Sequence, residues 1–166
     1  MITVLIRASR GPEALAVTLS ALVPAVAAGL VGDAVILSAG QDETIAMVAD
    51  AAGATLIVTH DRSWALGVKA ARRDWLLCLD DGDIPQEGWI QALERFATFG
   101  RPDQPGRFKR RSAGPLRALA QAALALVGRD RDCSGELVHK RVLLGELKPR
   151  SSVSLAAFIE RDPFFA

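Results

Sequence analysis

Asp80, Asp81 and Asp83 stand around Gly82, directly after the apolar run Trp75-Leu76-Leu77-Cys78-Leu79. A short apolar run bounded by turn chemistry reads as a fully buried strand. Carboxylates gathered at the end of such a strand repel one another unless a cation sits among them. Oxygen-only ligands suit Mg²⁺ or Mn²⁺, which makes Asp80, Asp81 and Asp83 the candidate metal ligands. The same residues also make a good turn, because aspartate bonds its own backbone and glycine accepts a positive φ. Both readings stand on these residues.

Arg7 and Arg10 follow the first apolar segment and could grip a phosphate with paired N–H groups. The alternative is a pair of solvated arginines. Asp42 opens a helical segment, where capping competes with a ligand contact. His60 and His139 lack metal-ligand spacing, and Lys69, Arg72 and Arg73 read as the wet face of a helix. The chain carries no P-loop, GxGxxG or serine nucleophile elbow.

The elements that must position these residues alternate. Ile2 to Ile6 predicts a buried strand, and Pro12 suits the first position of a helix carrying Leu15, Leu19, Leu22 and Val26. Gly32-Asp33 breaks that pattern before a second strand, Ala34 to Leu37. Asp42 caps a helix from Glu43 to Ala52, which Gly53 ends. A third strand, Thr55 to Thr59, precedes a helix from Trp64 to Arg72. Strand and helix in strict alternation predict an α/β fold, three-layer, with a mostly parallel sheet and helices on both faces. Ligands of such sheets sit beyond the carboxyl ends of the strands. The site loops are therefore Arg7–Gly11, Ser38–Asp42, His60–Ser63 and Asp80–Asp83.

Further on, a helix spans Trp89 to Phe99. Residues 100–114 read as a flexible basic loop around Arg107-Phe108-Lys109-Arg110-Arg111. Pro115 starts an apolar helix that Gly128 ends. Leu137 to Leu144 fits a strand or a short helix, and Ser152 caps a last helix, Val153 to Glu160. The basic cluster with the helix after it could lie on an anionic membrane surface; a basic loop before an ordinary core helix is the alternative.

The 166 residues suffice for one domain with a real core. Half are apolar and the net charge is +1, which calls for no nucleic acid. Two cysteines make no disulfide framework, so a cytoplasmic location is expected. The opening residues lack a signal-peptide pattern. No stretch reaches the roughly 18 apolar residues a membrane span needs.

With this order in view, the chain resembles the family-2 type nucleotide-sugar glycosyltransferases of the GT-A fold, most of all the short bacterial members. ITVLIRASRGPEALAVTLSAL resembles their first strand and helix. DAVILSAGQDETIAMVADAAGA resembles the second strand, nucleotide loop and helix. ARRDWLLCLDDGDIPQEGW resembles the segment ending in their DxD metal motif and a following GW pair, and SGELVHKRVLLGEL, more weakly, a segment near their Gly-Gly-Phe run. The order and spacing of these segments carry the likeness, most strongly over residues 2–96.

The resemblance implies a nucleotide-diphosphate sugar donor and metal-assisted, inverting transfer to a hydroxyl. If the basic cluster and the helix after it lie on a membrane surface, the acceptor is lipid- or envelope-linked, with peripheral contact at the inner membrane as an accompanying expectation. Residues 1–99 would hold the donor and 115–166 would face the acceptor, within one domain. Arg7, Arg10, Ser38 and Asp42 would then meet the substrate, and Asp80, Asp81 and Asp83 the Mg²⁺ or Mn²⁺. Three positions depart from the pattern. Ser38 and Ala39 stand where acidic residues usually hold the nucleotide. Gly82 stands where the second metal carboxylate belongs, leaving Asp81 and Asp83 as a DxD shifted by one. Arg150-Ser151-Ser152 replaces an acidic pair that would supply the base. These departures raise a second expectation, a catalytically degenerate binding or scaffolding relative. A nucleotidyltransferase is the third, weakened by the single glycine in RASRGPE.

Overall fold

Side chains alternate along β1 (Ile2–Ala8), and the alternation sets the layers of the molecule. Ile2, Val4 and Ile6 pack on one side with Leu15, Leu22, Ile45 and Leu93. Leu5 packs on the other side with Trp64, Val68 and Val142. A strand buried on both faces needs cover on both. Helices α1 (Pro12–Ala27), α2 (Glu43–Ala51) and α4 (Trp89–Phe99) cover the first face. Helices α3 (Trp64–Ala70) and α5 (Lys140–Leu143) cover the second. This is the three-layer arrangement that the strand–helix alternation predicts.

The computed structural model describes residues 1–60, 63–110 and 132–165. Among them the remaining strands are β2 (Val31–Ser38), β3 (Thr55–Val58), β4 (Trp75–Asp80), β5 (Asp83–Pro85), β6 (Gly106–Arg110), β7 (Glu136–His139) and β8 (Val153–Arg161). They form one sheet in the order β3-β2-β1-β4-β7-β6-β8-β5. β3, β2, β1 and β4 run parallel. β7 is antiparallel to β4 and to β6, β6 is parallel to β8, and β5 is antiparallel to β8. The carboxyl ends of the first four strands therefore share one edge.

Several sequence expectations need correction. β2 begins at Val31, not Ala34. Ile2 faces Val31 while Thr3 faces Asp33, so Gly32 is the extra residue of a bulge rather than a break. The segment expected as a flexible basic loop contains β6. Its arginines and lysine hide a period-two pattern in which Gly106 and Phe108 are buried and Arg107 and Lys109 are exposed. The expected last helix is β8. Leu155, Ala157 and Ile159 are buried while Ser154, Ala156 and Phe158 are exposed, the alternation of a half-buried strand. Leu137 to Leu144 divides into strand and helix, β7 then α5. The helix expected from Pro115, with Arg111 and most of the membrane-surface reading, lies outside the described residues. Among the described residues no helix is long and apolar enough to cross a membrane.

A helix burying Leu155 and Ile159 would turn Ala157 toward water; a strand buries it with them. We expect Ala157→Glu to cost about 3–5 kcal/mol, the loss typical of an uncompensated buried charge, and Ala156→Glu to stay within about 0.5 kcal/mol of the parent. Urea unfolding of the two variants checks this, and comparable losses would contradict the strand.

Candidate functional site

Pairing across β1 assembles the shared edge. Arg7 lies opposite Asp80 on β4, and Ala8 lies opposite Ser38 on β2. After β4 the chain turns sharply at Gly82, whose φ is +83°. A Cβ there would also come within 3.2 Å of Phe165, so glycine serves both the backbone angle and the close approach. The turn separates the three carboxylates into two directions.

Asp81 points toward the start of α1. It accepts from the main-chain N–H of Ser9 at 2.6 Å and from that of Arg10, from the Ser9 hydroxyl at 3.0 Å, and from Arg10 Nη1 at 3.0 Å. Its side chain is fully buried. Asp80 and Asp83 converge on the other side. Asp83, also fully buried, accepts from Arg110 Nη2 at 3.0 Å, from Arg161 Nη2 at 3.0 Å and Nε at 3.2 Å, and from the main-chain N–H of Asp80 at 3.1 Å. Asp80 accepts from Arg7 Nε at 2.9 Å, the Ser134 hydroxyl at 2.8 Å and Arg161 Nη2 at 3.2 Å. Arg110 Nη2 stands 3.9 Å from it and also bonds Ser134.

Arg7 joins Asp80 to the exposed Asp132, 2.9 Å from Nη2, and its guanidinium lies 4.4 Å from the centroid of the buried Trp64 ring. Burial alone would push the Asp80 carboxyl up; Arg7, the Ser134 hydroxyl and Arg110 together outweigh it and hold the group below the usual carboxylate range. Burial likewise works against the Arg7 charge, and Asp80 with Asp132 more than restores it.

The structure thus brings Arg7, Arg10, Asp80, Asp81 and Asp83 together, pairing Asp80 with Asp83 and not Asp81 with Asp83. Ser38 and Asp42 reach the same edge on β2 and the loop after it but spend their polar groups locally. Ser38 Oγ donates to the Gly40 carbonyl at 2.8 Å, and Asp42 caps α2 through the N–H groups of Thr44 and Ile45. Sequence reasoning missed Arg110, Arg161, Ser134 and Asp132. The signal for Arg161 was the alternation of VSLAAFIER, which ends a strand on that arginine.

The chain matches solved structures over almost its whole length. Glucosyl-3-phosphoglycerate synthase from Mycobacterium tuberculosis, in complex with phosphoglyceric acid, is 16% identical, with 98% of this chain and 72% of that one covered at a TM-score of 0.65. The same enzyme with Mn²⁺, uridine-diphosphate-glucose and phosphoglyceric acid is 17% identical, covering 98% and 71% at 0.63. With Mn²⁺, uridine diphosphate and phosphoglyceric acid it is 18% identical, covering 93% and 68% at 0.60. The fold is that of the GT-A glycosyltransferases. No protein-family model matches the chain, and no curated protein matches it by sequence.

The GT-A resemblance implies a divalent cation on the acidic turn, and the donor set can be tested for it. An ionised carboxylate offers about four acceptor positions. Asp81 receives four hydrogen bonds, and Asp80 receives three with a second Arg7 nitrogen, Nη2, at 2.9 Å. Asp83 receives five. Magnesium and manganese need lone pairs directed at them, and a dication would stand among guanidiniums of its own sign. In this arrangement the three aspartates do not fit it. Among the described residues no group of three or more His, Cys, Asp or Glu side chains is arranged to hold a metal ion.

An aspartate whose carboxyl is held low by folding adds stability that is present above its unfolded pKa, about 3.9, and is lost as pH falls through the lower folded value. Asp80→Asn should therefore lower stability at neutral pH and flatten the acid limb below about pH 4. Asp83→Asn, which strands two guanidiniums against a buried amide, should cost about 3 kcal/mol. Urea unfolding as a function of pH measures both; an unchanged acid limb in Asp80→Asn would contradict the pairing.

Proposed function

We propose that this chain binds a nucleotide-diphosphate sugar at the carboxyl edge of β1, β2 and β4 and transfers the sugar to an acceptor hydroxyl. The single observation that carries this is the guanidinium cluster at that edge, on a fold whose solved neighbours include complexes with uridine-diphosphate-glucose and with phosphoglyceric acid. Parallel α/β sheets take their ligands at this edge, and arginine suits a diphosphate.

Departure of a nucleoside diphosphate builds negative charge on phosphate oxygens. Fixed cations near those oxygens lower the barrier because the charge is larger in the transition state than in the bound donor. Arg10 engages its neighbours only through Nη1 among the described side chains, leaving Nε and Nη2 for a phosphate. Arg7 keeps Nη1. The neighbours' complexes hold Mn²⁺ beside uridine diphosphate, and Mg²⁺ or Mn²⁺ is what the resemblance implies for this chain. The saturated carboxylates speak against it, so neutralising the leaving group falls to the arginines. Removing the acceptor proton asks for a base. Among the described carboxylates of this cluster, Asp132 keeps an unengaged oxygen, Oδ2, and a side chain 64% exposed.

A second reading, binding without turnover, is favoured by the same saturation, since Asp80, Asp81 and Asp83 have no free oxygen with which to act as a base. One experiment separates the two. A panel of uridine- and guanosine-diphosphate sugars is incubated with the protein, with and without phosphoglycerate as a first acceptor, and release of the nucleoside diphosphate is followed. Transfer predicts release from at least one donor, falling about tenfold or more in Arg7→Ala, the loss of one charge-assisted contact. Donor binding with no release would establish the second reading; neither binding nor release would refute both.

A further inference from the structure

We propose that the diphosphate is held by arginine side chains in place of a divalent cation, with Arg110 and Arg161 occupying, against Asp80 and Asp83, the position a metal would need. This rests on the nucleotide-binding reading above and specifies how that site meets its ligand.

The two guanidiniums are built into the sheet. Arg161 ends β8 directly opposite Asp83 on β5, and Arg110 ends β6 beside β8. Arg110 reaches both Asp83 oxygens through Nη1 and Nη2, the fork geometry that suits a carboxylate, while Arg161 sends Nε and Nη2 to Asp83 Oδ1 and Nη2 also to Asp80. Ser134 links the pair to Asp80 by donating to it while accepting from Arg110. A metal could enter only by displacing both arginines, which would leave them without their partners.

The cluster also has capacity left for an anion. On one side of the turn Arg7, Arg110 and Arg161 meet Asp80, Asp83 and Asp132, and on the other Arg10 meets Asp81, so each side is balanced as it stands. The four arginine side chains are 23–32% exposed. Among the described residues Arg7 Nη1, Arg10 Nε and Nη2, Arg110 Nε and Arg161 Nη1 have no hydrogen-bond partner. Asp132 is the exposed counter-ion of the set, with a side chain 64% exposed against 15% for Asp80. A phosphate that takes over from Asp132 at Arg7 exchanges one anion for another at little desolvation cost. Guanidinium keeps its charge throughout the physiological range, so this cradle needs neither metal nor a particular pH.

The test is the affinity of the full chain for uridine diphosphate and guanosine diphosphate by titration calorimetry, in excess EDTA and in saturating Mn²⁺. The proposal expects binding of one nucleotide in EDTA, with affinity in Mn²⁺ equal within about twofold, a difference of only a few tenths of a kcal/mol. It expects Arg10→Ala to weaken binding about tenfold, the scale of a charge-assisted contact. Asp80→Asn separates the mechanisms: a metal site loses nucleotide affinity, whereas an arginine site keeps or gains it because a competing negative charge is gone. Should Asp80→Asn fail to fold, Asp132→Asn serves instead, retaining an acceptor for the Ser134 N–H while freeing Arg7, and is expected to tighten binding severalfold. Binding that appears only with Mn²⁺ would overturn this inference and leave the nucleotide reading intact. No binding under either condition would overturn both.

Discussion

Three acidic side chains within four residues, two of them fully buried, have to be neutralised for this fold to exist. Burying a carboxylate costs several kcal/mol unless charge and hydrogen bonds are returned to it. The fold returns them through Arg7, Arg10, Arg110 and Arg161, drawn from β1, the loop after it, β6 and β8. These partners lie 27 to 81 residues away in sequence. The apolar core would accept many sequences of suitable pattern; this charge balance ties specific distant residues to one another. It also links the parallel half of the sheet to the strands that follow, because Asp80 is shared between Arg7 on one side and Arg161 on the other, and Asp83 holds Arg110 and Arg161.

The same interaction decides what the edge can do. Oxygens already committed to guanidinium are poor metal ligands and poor bases. Guanidinium groups with N–H positions to spare are good partners for phosphate. The chemistry of the site is thereby moved from its acids, which first draw the eye in the sequence, to the arginines that enclose them. Such a cluster is weakened if one of its members is deleted, since the partners left behind stay charged and, Asp132 apart, at least partly buried.

The parallel half was legible because its signals are local. Ile2 to Ile6, the capping Asp42 and the run ending at Asp80 each carry their own periodicity or turn chemistry, and their alternation implied the layers. The later strands were not legible for the same reason inverted. In β6 arginine and lysine dominate the composition, and β8 begins after a serine that resembles a helix cap, so local chemistry pointed away from strand. Only the sheet, through burial of Phe108, Leu155, Ala157 and Ile159, makes those segments extended. Arg7, Arg10 and the three aspartates could be nominated from their place after predicted strands. Arg110 and Arg161 could not, because nothing within a short window shows that they meet Asp83. The direction in which Asp81 turns depends on backbone donors at Ser9 and Arg10, which no side-chain pattern reveals.

Whether cation or guanidinium occupies the Asp80–Asp83 pair decides between the two kinds of site. Crystals of the full chain grown with uridine diphosphate and Mn²⁺, with an anomalous difference map recorded at the manganese edge, observe the occupant directly. We predict no manganese peak at these carboxylates, with Arg110 and Arg161 still bonded to Asp83. A manganese ion coordinated by Asp80, with the two arginines swung away, would contradict an arginine-built site.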